Sequence, residues 1–255
     1  MRLSRVILAA AAVLPLAQAA NAGVFNFDWN APDPLPGGGV SNAAGTIKSV
    51  HGSYDSTSQV LTWDVRVENN TTDAITLVLS GGPNPKSNPG QFAHFFYDGS
   101  ALTVYGYNGK NNTSSWWDGN GDGSGGDPDR IASSLVDPGF VMELSKGEDA
   151  GDRLFHMKLD VSGINAHMPL FEDPDGEPWE GAQFAEKVGI WMHTFDGTPW
   201  HQSSSTAYEN GWLKKWAFKK EGWMDTENSM TTPTPGALAL AGMGGVLAMR
   251  RRRNA

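Results

Sequence analysis

Between residues 46 and 218, apolar and polar residues alternate one by one in window after window. That period of two restricts the fold more than any other feature of the chain. From Gln59 to Glu68, Leu61, Trp63, Val65 and Val67 share one face of an extended backbone, and Thr62, Asp64, Arg66 and Glu68 share the other. Phe140, Met142 and Leu144 alternate with Glu143 and Ser145. Phe155, Met157, Leu159 and Val161 alternate with His156, Lys158 and Asp160, and Val188, Ile190 and Met192 with Trp191 and His193. Ile75, Leu77 and Leu79 follow the turn Asn69 to Asp73, so they are expected to form a hairpin with the strand before it. Phe92 to Tyr97 and Leu102 to Tyr107, joined by Asp98-Gly99-Ser100, are a second expected hairpin. An early strand from Thr46 to Tyr54 and a late one from Trp212 to Phe218 bring the expected number to eight or nine. No window supports a helix of ten residues; Asp129 to Leu135 suits one short helical turn.

This many antiparallel strands must bury their apolar faces against one another. The expected fold class is all-β: an antiparallel β-sandwich of jelly-roll or lectin-like type. The composition agrees, with 31 Gly, 15 Pro and only 18% charged residues in 255. One domain over residues 24–228 is the simplest division, with long loops at 81–90 and 172–180 and a polar spacer at 229–235. The expected core is Trp63, Val65, Leu77, Val104, Met142, Phe155, Met157, Leu159, Ile190 and Met192. Most of the ten Trp are expected to join such a core.

The two ends read as addresses. Arg2 and Arg5, an apolar run from Val6 to Leu16, and small residues at Ala17-Gln18-Ala19 and Ala20-Asn21-Ala22 make residues 1–22 a secretory signal. At the other end, Pro233-Thr234-Pro235 precedes an apolar, Gly-rich run from Gly236 to Met249, then Arg250, Arg251, Arg252 and Arg253. As a helix those 14 apolar residues reach about 21 Å, short of a ~30 Å hydrocarbon core, and the arginines favour a cytoplasmic stop. A transient anchor is the expectation.

That tail resembles the PEP-CTERM sorting signal of Gram-negative bacteria, with Thr234 where the family usually carries Glu. The resemblance covers about residues 232–253, and the sorting segment proper is read as 236–253. It implies processing by an exosortase-type membrane enzyme, a transient inner-membrane (transmembrane-helix) stage, and delivery to the cell surface or extracellular matrix. Four stretches, Val104 to Gly109, Trp116 to Gly119, Asp129 to Ser134 and Gly189 to His193, are similar to a group of secreted PEP-CTERM proteins. That likeness implies secretion and a β-rich body. Removing the six terminal arginines leaves 13 of 19 basic residues against 28 acidic ones, a net charge of −15, which argues against a nucleic-acid partner.

Asp118, Asn120 and Asp122 stand at positions 1, 3 and 5 of a calcium loop, Gly123 at its sharp turn, the Ser124 carbonyl at position 7 and Asp129 at position 12. Hard oxygens at alternating positions suit Ca²⁺. The spacing resembles EF-hand and dockerin loops, with Asp in place of the usual bidentate Glu and without strong flanking helices. The composition equally suits a flexible Gly/Asp surface loop. Trp116 and Trp117 abut this segment and Tyr105 and Tyr107 alternate on one strand, so these four rings are the candidate sugar platform. Cys is absent, which excludes disulfides, thiolate metal sites and a Cys nucleophile. The six His show no H-E-x-x-H or H-x-H spacing, and no G-x-S-x-G elbow exists. Glu143 is a candidate member of a carboxylate pair for glycoside hydrolysis among the 28 acidic residues, and an outward Glu on a strand is ordinarily solvated.

The sequence therefore points to an exported, non-enzymatic protein, structural or adhesive, with extracellular polysaccharide as the expected ligand. The alternative is a polysaccharide-active enzyme, a glycoside hydrolase or lyase, on a jelly roll.

Overall fold

The computed structural model describes residues 23–33, 39–40, 44–68, 71–80, 92–107, 129–167, 181–184, 187–196, 208–213, 220–230 and 232–233. Strand β1 covers Val24–Asn30, β2 Gly39–Val40, β3 Ile47–Asp55, β4 Val60–Val67 and β5 Thr72–Ser80. β6 covers Phe92–Tyr97, β7 Leu102–Tyr107, β8 Asp129–Ser133, β9 Val141–Asp149 and β10 Asp152–Asp160. β11 runs over Lys187–Asp196, β12 over Tyr208–Glu209, β13 over Trp212–Leu213, β14 over Lys220–Met230 and β15 over Thr232–Pro233. Among the described residues one short α-helix, α1, spans Ser162–Ala166.

The strands form a six-stranded sheet in the order β15-β1-β3-β4-β10-β9 and a seven-stranded sheet in the order β2-β14-β11-β5-β6-β7-β8; β12 and β13 form a separate small hairpin. Every pairing is antiparallel. The all-β sandwich read from the alternation is the fold. Leu61, Trp63, Val65 and Val67 are buried while Thr62, Asp64 and Arg66 are part-exposed, as a strand with one wet face requires.

One core fills the space between the sheets. The six-stranded sheet gives it Phe27, Trp29, Val50, Trp63, Phe155 and Met157, and the seven-stranded sheet Leu77, Phe95, Tyr97, Ile190 and Met192. Tyr97 meets Phe155 edge-on across the two sheets with ring centroids 5.9 Å apart, and Trp63 stacks on Phe27 at 6.0 Å. Gly52 lies opposite Trp63 across β3 and β4, where a Cβ would fall on the indole's six-membered ring. The close approach of that ring to the backbone requires glycine there. Truncating a ring buried like Trp63 costs about 3–5 kcal/mol.

Four expectations are corrected. β4 and β5 are not a hairpin: they belong to different sheets, and the chain crosses the sandwich between them. The crossing is tied down by Glu68 N–H donating to Thr46 O (2.8 Å) and Thr72 Oγ1 donating to Ala44 O (2.7 Å). Met142 is 53% exposed instead of buried, because β9 carries a bulge where Glu143 pairs with Lys158 but Val141 with Leu159. Asp129 to Ser133 is strand, and only residues 134–136 turn. The stretch taken for a polar spacer carries backbone pairing, since β14 runs to Met230 and β15 pairs with β1. Of the late strand expected over Trp212 to Phe218, Trp212 and Leu213 are strand, and residues 214–218 lie outside the described residues.

Candidate functional site

Three long connections leave the seven-stranded sheet from one end. Ser80 pairs with Gly189, Leu79 with Ala93, Phe92 with Tyr107 and Gly106 with Asp129. The exit of β5, the entry of β6, the exit of β7, the entry of β8 and the entry of β11 therefore gather at that end. The segments between them, 81–91, 108–128 and 168–186, attach there. The candidate calcium loop is the β7–β8 connection, and its last candidate ligand, Asp129, opens β8.

A polar clamp fixes the chain where it returns to this end. Asn165 of α1 accepts from Ala182 N–H through Oδ1 (2.7 Å) and donates through Nδ2 to Gln59 Oε1 (3.1 Å) and Tyr54 OH (3.3 Å). Gly181, at φ +63°, sits against the Asn165 side-chain oxygen Oδ1, which leaves no room for a Cβ, and its own carbonyl accepts from Ala93 N–H. Burial pushes the Tyr54 phenol above its usual pKa, partly offset by the Asn165 bond. Tyr54 also packs its ring on Phe184 at 5.8 Å.

The outer face of the seven-stranded sheet is the second feature. It is not open. Thr76, Val78, His94, Phe96, Thr103, Tyr105, Trp191 and Phe195 lie on this face and are all buried. The β12–β13 hairpin covers part of it: Leu213 joins Ala74, Phe96, Tyr105 and Phe195 in a second apolar cluster, with Tyr208 and Trp212 packed against it. Three hydrogen bonds pin the hairpin. Tyr105 OH donates to Leu213 O (3.0 Å), Ser133 Oγ to Gly211 O, and Tyr208 OH to Asp98 Oδ2. Burial, then the Asp98 charge, push the Tyr208 phenol far up, so it stays a donor. Arg130 stands over the Trp212 ring, 5.8 Å from its centroid.

His94 sits at the centre of this face. Its Nε2 pairs with Thr76 Oγ1. Burial, with a smaller contribution from nearby His193, pulls its pKa down to about 3, so the ring is neutral at neutral pH. His193 lies between Trp191 and Phe195 along β11, with ring centroids 4.4 and 5.8 Å away.

The outer face of the six-stranded sheet is polar and wet. Asp28, His51, Asp64 and His156 form one cross-strand row. Asp28 Oδ1 lies 2.9 Å from His51 Nδ1, and Asp64 Oδ1 lies 2.7 Å from His156 Nδ1. Glu143 bonds Lys158 Nζ at 2.9 Å, which holds its carboxyl below the usual range, and lies 3.6 Å from His156 Nε2. Asp152 accepts from Lys48 Nζ (2.8 Å) and Arg66 Nε (2.5 Å), and these bonds hold its carboxyl low.

Of the residues singled out from sequence, Trp116, Trp117, Asp118, Asn120, Asp122, Ser124, Thr234, Pro235 and Arg250 to Arg253 lie outside the described residues. Tyr107 ends β7 opposite Phe92, and Pro233 lies in β15 opposite Phe25. Tyr105 is 1% exposed beneath the hairpin, so its ring offers no solvent-facing platform in this arrangement. Among the described residues no group of three or more His, Asp or Glu is placed to hold a metal ion, and no helix is long and apolar enough to cross a membrane.

Sequence reasoning missed the covered outer face. Its signal was present in Phe92-Ala-His-Phe-Phe-Tyr97 and in Val188 to Phe195, runs apolar at nearly every position, as a strand covered on both faces requires. No family model matches the chain, and no curated protein or solved structure matches it.

Proposed function

We propose that this chain is an exported surface or extracellular-matrix protein of a Gram-negative-type bacterium, sorted through a PEP-CTERM-like tail. Its role is structural or adhesive, not enzymatic, and it holds extracellular polysaccharide at the loop-bearing end of the sandwich. The observation that carries this reading is the convergence of three long connections at one end of a rigid two-sheet body. One of them carries Trp116, Trp117 and the Asp118–Asp129 spacing; another carries Trp179 among Glu172, Asp173, Asp175, Glu177 and Glu180. Loops on a fixed scaffold are where binding residues concentrate, and rings beside acidic groups suit a sugar's apolar face and hydroxyls. Calcium is the proposed ordering ion for the Asp118–Asp129 segment, with an affinity near the extracellular range of about 10⁻⁴–10⁻³ M.

The test is a calcium titration in the presence and absence of polysaccharide from the native matrix. Millimolar Ca²⁺ should raise the melting temperature, shift Trp emission and increase polysaccharide retention, with Mg²⁺ weaker in each. Asp118→Ala with Asp122→Ala should abolish the ion's effect, and Trp116→Ala with Trp117→Ala should reduce retention while leaving the melting shift. Polysaccharide retention that neither pair of substitutions changes would place any binding elsewhere.

A further inference from the structure

The two ends of the folded body leave from one corner. Phe25 lies opposite Pro233 and Asn26 opposite Thr232 across an antiparallel pair. Directly opposed residues of such a pair stand about 4.5–5.5 Å apart. The chain before Gly23 and the chain after Pro233 therefore depart side by side. Gly23 is fixed at this corner: its N–H donates to Ser56 Oγ (3.0 Å), and its carbonyl accepts from Ser56 N–H (3.0 Å) and Ser56 Oγ (3.1 Å). The turn between β3 and β4 completes the corner, with Thr57 and Ser58 exposed.

This corner is at the loop-bearing end. β4 starts beside it at Val60, Gln59 binds the Asn165 clamp, and that clamp holds Gly181 and Ala182 against the entry of β6. The Asp98–Ala101 turn joining β6 and β7 lies at the other end.

The sequences outside the body are arranged alike about it. Going outward, each has an apolar run and then arginines: Val6–Leu16 before Arg5 and Arg2, and Gly236–Met249 before Arg250 to Arg253. If both runs enter one bilayer from the body's side, both arginine groups reach the same far leaflet, as the positive-inside preference asks. The tail leaves little slack. Only Thr234 and Pro235 separate β15 from the apolar run, and two residues span at most about 7 Å.

We infer that the Gly23–Ser56–Pro233 corner is the membrane-facing surface of the tethered protein, resting on a phospholipid bilayer. The loop-bearing end is then turned toward the lipid. This rests on reading the two ends as membrane addresses.

The experiment uses the full chain in phosphatidylglycerol–phosphatidylethanolamine vesicles. The protein has no Cys, so Thr57→Cys and Ser100→Cys each give a single labelling position, at the corner and at the far turn. Ser58→Cys is the substitute if Thr57→Cys misfolds. Each carries a fluorophore quenched by nitroxide at the lipid headgroups. The expected result is flotation with the vesicles and several-fold stronger quenching at position 57 than at position 100. Flotation with equal quenching, or stronger quenching at 100, overturns the corner while leaving the membrane addresses standing. No flotation removes both.

Discussion

Met142 and Leu144 are two residues apart on β9 and do not share a face: Leu144 packs on the core and Met142 is 53% exposed. The bulge between them and β10 adds one residue at Met142 and resets the alternation, so that Val141 returns to the core. β9 is the edge of its sheet, and a bulge with Glu143, Lys146, Glu148 and Asp149 nearby discourages another strand from pairing there.

Met142→Thr should therefore change stability by less than about 0.5 kcal/mol, as an exposed position does. Met157→Ala, on the neighbouring strand and 1% exposed, should cost about 2–5 kcal/mol. Urea unfolding of the two variants checks this. Comparable losses for both would mean that Met142 is a core residue.

The closure of the six-stranded sheet by β15 predicts a cross-link. Asn26 and Thr232 are register partners, and their Cα separation in such a pair suits a disulfide. Asn26→Cys with Thr232→Cys should oxidise within one chain and stabilise the fold by up to about 5 kcal/mol, since the bridge would close almost the whole domain into a loop. Non-reducing electrophoresis and thermal melts read the result; a bridge only between chains would contradict the pairing.

His94 makes the fold acid-sensitive. Its pKa is about 3 in the folded protein and near 6.5 in an unfolded chain. The folded state excludes a proton that the unfolded state binds between those values. Stability is fully present above about pH 6.5 and falls on acidification, by about 1.4 kcal/mol per pH unit at most. From pH 7 to pH 5 this loss is about 2 kcal/mol. The carboxylates held low by their partners, Asp152 and Glu143 among them, lose their contributions only as the pH falls further. His94→Gln, which keeps a hydrogen-bonding group for Thr76, should flatten the pH 7 to pH 5 difference in urea unfolding. An unchanged difference would place the acid sensitivity elsewhere.

How much of this was legible depended on which faces are wet. β4 and β10 were readable residue by residue because Asp64, Arg66, His156 and Lys158 face water between core residues. β6 and β11 were readable as strands but not as a covered layer, because a run such as Phe92 to Tyr97 does not say which segment lies over its second face. β1 alternates Phe25, Phe27 and Trp29 with Asn26, Asp28 and Asn30, a period hidden by its position shortly after the apolar run Val6–Leu16 and its small-residue flank. β14 has the opposite difficulty: Lys220 to Met230 is mostly polar and owes its strand form to pairing with β11. The turn before β5 looked like a hairpin because turn chemistry is the same whether the next strand joins the same sheet or the facing one. At the candidate site the Asp118–Asp129 spacing was legible, but the anchoring of its ends on neighbouring strands was not, since Asp129 to Leu135 alone suits a helical turn as well as a strand.

The most direct test of the account is the intact mass of the protein recovered from the surface or matrix fraction of its native host. The account predicts a chain that begins at residue 20 or 23, retains β15 through Pro233, and lacks Arg250 to Arg253. A surface-exposed chain that still carries Met1 or the four arginines would contradict it.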